Sequence, residues 1–195
     1  KYLLKYYKNI VLYYHNDPIN QKGSEKVSDR MYLVKNLKFI IFNSNWTKKR
    51  FLSNLKLPFK LKKKLLVIHQ STNKAKVNLT KKKKIISFIG KLNSSKGYDL
   101  FGNALKKILI KYPEWKGIVI GDEKRENFNV QQKNYILLGF KKHEYIMNFL
   151  KKVNICVVPS RWEEPFGRVA LEASSRGCAL IISNKGGLTE AITNG

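Results

Sequence analysis

Cysteine is nearly absent from these 195 residues, occurring only as Cys156 and Cys178. Each lies in or beside an apolar run of strand character, so both are expected in a core. They lack the spacing of a metal site, and nothing requires a disulfide, which fits a reducing cytosol. Long hydrophobic runs are missing too. Ile85 to Ile89 and Ile155 to Val158 fall far short of the about 20 residues that a membrane-spanning helix needs. No Asp-x-Asp pair and no histidine cluster occurs, so neither a metal nor a cofactor is expected. No signal peptide is visible. The chain opens on Lys1 rather than Met and closes on Gly195, which reads as a helix cap. Both ends are therefore expected to be cuts in a longer protein.

Acidic residues are scarce, 13 against 39 lysines and arginines, for a formal charge of +26. Arginine is scarce within that excess, at positions 30, 50, 125, 161, 168 and 176 only. Two readings stand. One is an electrostatic partner: an anionic membrane surface, a phosphorylated substrate or nucleic acid. The other is the codon bias of an AT-rich genome, which lysine, Asn, Ile and Tyr would all reflect. Readers of nucleic acid lean on arginine for bidentate contacts, so no nucleic-acid partner is expected.

What is present is an alternation of short apolar runs and longer amphipathic ones. Strands are expected at 9–14, 39–43 and 65–69, with helices at 24–37 and 47–55. Residues 16–22 read as a loop, turned by Asp17 and Pro18. The polar stretch 71–84, ending in four lysines, reads as an interdomain linker. Beyond it, strands are expected at 85–89, 117–120, 135–138, 155–158 and 180–182. Helices are expected at 98–112, 143–153, 167–176 and 188–193. Such repetition implies parallel sheets covered by helices, with ligands at the carboxyl ends of the strands. Gly90, Gly121, Gly139 and Gly167 all fall on that side. The expected organisation is residues 1–70 as the end of a first Rossmann-like domain, 71–84 as linker, and 85–195 as a second.

Two segments concentrate chemistry. The loop Gly90-Lys91-Leu92-Asn93-Ser94-Ser95-Lys96-Gly97 follows a buried strand and precedes a helix. Glycine allows close backbone approach, two lysines flank it, and a helix N-terminus adds N–H groups. That suits a diphosphate; a plain Gly- and Ser-rich turn is the alternative. The spacing is neither a Walker A loop nor Gly-x-Gly-x-x-Gly. The second segment runs from Pro159 to Glu172 through Glu163-Glu164-Pro165-Phe166-Gly167-Arg168. Glu164 and Glu172 could each accept hydrogen bonds from vicinal hydroxyls, one pair on a sugar and one on a ribose. Spacing alone favours a plainer reading: a glutamate near a helix N-terminus and a solvated one within the helix.

The motifs together resemble the retaining glycosyltransferases of family 4, which have the two-Rossmann-domain GT-B fold. The resemblance rests on Pro159-Ser160, Glu164-Pro165-Phe166-Gly167, Glu172-Ala173 and Gly177, on the 90–97 loop, and on Gly186-Gly187-Leu188-Thr189-Glu190. Thr189 stands where the family usually has Pro, and Lys91 where Arg is common. The resemblance covers 85–195. It implies a nucleotide-sugar donor and a glycan or lipid-linked acceptor. Lys91 and Lys96 would hold the diphosphate, Glu164 the transferred sugar and Glu172 the ribose. Backbone amides at Phe166, Gly167 and Arg168 would face phosphate, and Gly90 and Gly139 would line the donor site. His15 would be an active-site histidine, with a strand cap as the alternative. Surface polysaccharide or lipopolysaccharide synthesis, at the cytoplasmic face of an anionic membrane, is the implied setting. The 195-residue chain alone is expected to be inactive. The rival readings are a nucleotide-sugar epimerase of the same fold and a basic nucleic-acid-binding module.

Overall fold

The computed structural model describes residues 3, 6, 7, 9–123 and 132–192. The chain forms two compact units, residues 1–70 and 71–195. The cap expected at Gly195 and the helix end expected at Thr193 lie outside the described residues.

The first unit holds a three-stranded parallel sheet in the order β1-β2-β3: β1 (Val11–Tyr14), β2 (Phe39–Phe42) and β3 (Leu65–Val67). Helices α1 (Val27–Asn36), α2 (Asn45–Leu52) and the single turn α3 (Phe59–Lys62) connect them. Tyr14, Phe42 and Phe51 pack ring against ring, with centroids 5.2–5.6 Å apart, around the fully buried Val34 and Ile40. Ser44 opens α2 with a capping box, its hydroxyl accepting from the Thr47 amide, which satisfies an N–H the helix itself cannot. Helix α1 starts three residues later than periodicity suggests, because Ser24 is engaged elsewhere. Its hydroxyl donates to Pro18 O, and its carbonyl accepts from the buried Arg30 guanidinium at 2.9 Å. The turn α3 has no apolar periodicity and was not legible in the sequence.

The second unit holds a five-stranded, all-parallel sheet in the order β6-β5-β4-β7-β8. Its strands are β4 (Lys83–Ile89), β5 (Lys116–Ile120), β6 (Tyr135–Leu137), β7 (Val153–Val158) and β8 (Ala179–Ile182). Five consecutive residues of β4, from Ile85 to Ile89, are buried, as a central strand covered on both faces requires. Alternate side chains serve different cores. Ile86 and Phe88 pack with Phe101 and Leu105 of α4 (Tyr98–Lys111). Ile85 and Ile89 pack with Met147 and Leu150 of α5 (His143–Leu150) and Ala173 of α6 (Arg168–Ser175). Lys83 and Lys84, read above as linker, belong to β4. The helix expected to reach Val153 stops at Leu150, and Val153, 0% exposed, opens β7 instead. The helix expected from Leu188 is a 3-10 turn, Leu188–Ala191.

Strand order carries the functional consequence. From β4 the chain moves outward to β5 and β6, then crosses back to lay β7 against the other side of β4. The loops leaving β4 and β7 diverge from neighbouring strands, which is the switch point where doubly wound sheets bind ligands.

Both cysteines are buried and unpaired. Burial pushes the Cys156 thiol up to about 12 and raises that of Cys178. At neutral pH neither thiol is expected to react with Ellman's reagent in the folded chain; both should react once it is denatured.

Candidate functional site

The loop leaving β4 is built by its own short-range bonds. Asn93 caps the 3-10 turn Ser94–Lys96, its side chain accepting from the Lys96 amide at 3.0 Å. Gly97 follows in the left-handed region, at φ 71°, and leads into α4. A Cβ at Gly97 would lie 2.0 Å from Pro159 O. Only glycine lets this loop close onto the end of β7. A Cβ at Gly121, likewise, would lie 1.8 Å from Gly90 O, so the ends of β4 and β5 are in backbone contact.

The loop leaving β7 is bonded to the first. Ser95 O accepts from the amides of Arg161 and Trp162 at 2.9 and 3.0 Å. The Arg161 guanidinium donates to both Asp99 carboxylate oxygens, at 2.6 and 2.8 Å, and to Ser94 O at 2.7 Å. The hydrogen bond from Arg161 holds the Asp99 carboxyl below its ordinary range.

Across this seam Lys96 donates to Glu164 Oε1 at 2.6 Å, and the Ser160 hydroxyl donates to the same oxygen at 2.9 Å. The Glu164 side chain is 13% exposed. Its backbone is fixed from a third segment. Gly187 N–H donates to Glu164 O at 2.6 Å, and a Cβ at Gly186 would collide with that same carbonyl. Phe166 is buried, and Gly167, at φ 96°, caps α6 directly over the buried Leu188. The segment 186–190 therefore supports the Glu164 loop from beneath. The first turn of α6 adds N–H groups that a helix leaves without internal partners and the positive end of its dipole.

Glu172 is 8% exposed, against the solvated position that spacing alone favours. Its Oε1 accepts from Arg168 at 3.1 Å and contacts His143 Nε2 at 3.1 Å. Gly139 closes β6 at φ 68°, and its carbonyl accepts from the Gly121 amide at 3.0 Å.

Of the sequence-derived residues, the structure brings together Lys96, Glu164, Phe166, Gly167, Arg168 and Glu172. Gly90 and Gly139 stand on the same side of the sheet. Lys91 lies exposed in the loop, and no described contact joins it to Lys96 or Glu164. His15 belongs to the first unit, its ring edge-on to Tyr13 at 4.4 Å and its Nδ1 2.9 Å from Gln70 Nε2. Sequence reasoning missed Ser160 and His143 as carboxylate partners, and the Arg161–Asp99 clamp. Asn93, three residues before Lys96, carried a readable capping signal. His143 carried none, because it meets Glu172 only across two helices.

Residues 69–195 match the sequence profile of the family described as Glycosyl transferases group 1. A 42.6 kDa protein in the cps region of Klebsiella pneumoniae is 34% identical over 111 residues, covering 55% of this chain and 28% of that one. The lipopolysaccharide 1,2-N-acetylglucosaminetransferase of Salmonella typhimurium is 27% identical over 140 residues, covering 65% and 37%. The chain thus spans roughly a third of the length of these relatives. In fold it matches Anabaena Alr3699/HepE in complex with UDP and glucose, with a TM-score of 0.72 at 18% identity, over 96% of this chain and 56% of that one.

Two outcomes test the seam. Gly97→Ala should destabilise the chain by on the order of 2–3 kcal/mol, read from urea unfolding midpoints. Gly139→Ala, whose added Cβ meets nothing within 4 Å, should cost about 1 kcal/mol. The Asp99 contribution has a defined pH sense. A depressed carboxyl stabilises above its unfolded value, about 3.9, and the gain is lost as pH falls through the folded value. Asp99→Asn should therefore lower stability at neutral pH, and the difference from wild type should vanish in acid.

Proposed function

The chain belongs to the glycosyl transferases group 1, and from that premise we propose that residues 71–195 bind the donor in a retaining transfer of sugar from a nucleotide diphosphate to an acceptor. The observation that carries the reading is the meeting of Lys96 with Glu164, 2.6 Å apart across 68 residues of chain, at the switch point of the sheet and beside the N-terminus of α6.

In this reading Lys96 and the first amides of α6 take the diphosphate oxygens, and Glu164 takes hydroxyls of the transferred sugar. Lys96 and Glu164 neutralise one another. The donor offers each a replacement: phosphate for the ammonium, hydroxyls for the carboxylate. Lys91 adds positive charge without the bidentate fork of an arginine. Glu172, held by Arg168 and His143, receives the ribose hydroxyls, and Gly90 and Gly139 leave room for close approach. Cleavage of the glycosyl–phosphate bond leaves negative charge on the nucleoside diphosphate. A lysine and a helix terminus fixed in advance stabilise that charge as it develops, with no call on a metal ion. With Glu164 given to the hydroxyls of the transferred sugar, no described carboxylate is assigned as a nucleophile in this reading, and the route proposed is front-face displacement rather than a covalent glycosyl-enzyme. Residues 1–70 would end the acceptor-side domain. Surface polysaccharide or lipopolysaccharide is the proposed product, supported by the likeness to the lipopolysaccharide 1,2-N-acetylglucosaminetransferase of Salmonella typhimurium. The charge of +26 would hold the enzyme at an anionic membrane face; among the described residues no helix is long and apolar enough to cross one.

A thermal-shift panel of nucleoside diphosphates and their sugar conjugates tests the reading, since a ligand of the folded state raises its stability. At least one should raise the melting temperature. Lys96→Ala and Glu172→Ala should each weaken that ligand by roughly 10- to 100-fold, the worth of a charge-assisted hydrogen bond. Indifference to the whole panel would overturn the proposal. The 195-residue chain should bind donor yet transfer no sugar, because it holds only part of the length of its relatives.

A further inference from the structure

Glu172, given the ribose hydroxyls above, is tied at one oxygen. Its Oε1 meets Arg168 Nη2 and His143 Nε2, each at 3.1 Å, and among the described residues Oε2 meets no donor. We propose that His143 is a positioning residue for the nucleotide. It fixes Glu172 so that Oε2 is presented to the ribose, and so sets a preference for ribonucleoside over 2′-deoxyribonucleoside diphosphates. This role rests on the donor reading.

Glu172 is 8% exposed, yet Oε2 is not sealed in. Among the described residues, the buried side-chain nitrogens and oxygens without a partner are Arg30 Nε and Arg176 Nε alone, so Oε2 keeps a face to solvent. One oxygen doubly held and the other open make an acceptor set ready for a ligand hydroxyl. A ribose carries two hydroxyls side by side, and a carboxylate oxygen has lone pairs for both. Removal of the 2′-hydroxyl leaves one donor where there were two.

The two ties on Oε1 differ in what they fix. Arg168 lies one turn before Glu172 on α6, so it moves with that helix. His143 opens α5, just after Gly139 closes β6. Its bond spans 29 residues and fastens α6 to the segment leaving another strand. A carboxylate can only accept, so Nε2 bears the hydrogen in this contact, whether the imidazole is neutral or cationic. Both helices start where strands end, α5 after β6 and α6 after β7, on the side where parallel sheets take ligands. A carboxylate held from two helices loses less freedom when a ligand arrives. The His143 side chain is itself 61% exposed, so it fills no core.

Isothermal titration of this chain with UDP, GDP, ADP and CDP, and with their 2′-deoxy counterparts, tests the proposal. At least one ribonucleotide should bind, and its deoxy form should bind about ten-fold more weakly, the loss of one hydrogen bond to a charged group. His143→Ala should weaken the ribonucleotide about five-fold and leave the deoxy form nearly unchanged, which narrows the preference. His143→Gln, which keeps an N–H donor at similar reach, should restore it. Ligand-free melting curves check folding, and His143→Ser is the second truncation should His143→Ala not melt cooperatively. Equal weakening of both sugars by the truncation marks a merely structural tie and overturns the proposal. Unchanged ribonucleotide affinity in the truncated chain, or no ribose preference in the wild type, overturns it too. In those three cases the donor reading stands. Failure of every nucleotide to bind overturns the donor reading, and this role for His143 with it.

Discussion

The contact between Lys96 and Glu164 is the interaction on which the site depends. Two charges drawn together in a shielded crevice gain from attraction but lose hydration, and the balance is close. The structure improves it in two ways. Ser160 shares the load on the same carboxylate oxygen, and a third of the Lys96 side chain remains in contact with solvent, at 34% exposure. The pair is therefore well formed without being locked. The diphosphate proposed above would need a cation that is oriented yet available, and a partly hydrated lysine meets both needs.

The local electrostatics contrast with the bulk charge. The cationic excess is spread over lysines, while the described arginines are placed in defined contacts. Arg30 binds three carbonyls, Arg161 clamps Asp99, and Arg168 meets Glu172. Where a planar donor fork must hold a loop or helix in register, arginine is used. The lysine excess reads as background on which a few fixed pairs are drawn, and this weakens any reading of the site from net charge alone.

Most of the second unit could be read from sequence because its information is local. Ile85 to Ile89 is an unbroken apolar run, Leu105 and Leu109 keep a helical period, and glycines punctuate the strand ends. The loop from Gly90 to Gly97 was legible as a strand-to-helix connection for the same reason. What escaped was non-local. Val153 fits a helical period with Leu150, yet β4 recruits it as a strand. Glu172 looks solvated from its spacing and is buried because α5 lies over it with His143. The clamp between Arg161 and Asp99 joins residues 62 apart, and no window along the chain contains both. The first unit was legible in order but not in detail. The turn α3 has no buried residue, hence no apolar pattern to betray it.

Gly97 and Gly186 each sit where a side chain would strike the backbone of a distant segment. The three loops they bring together are consequently one inherited object rather than three. A homologous exchange with its crossover between residues 97 and 159 would pair loops never selected against each other's contours. Swaps at the 70/71 junction leave that object whole. Diversification by recombination would then proceed by trading what surrounds the second unit, while the unit itself passes intact.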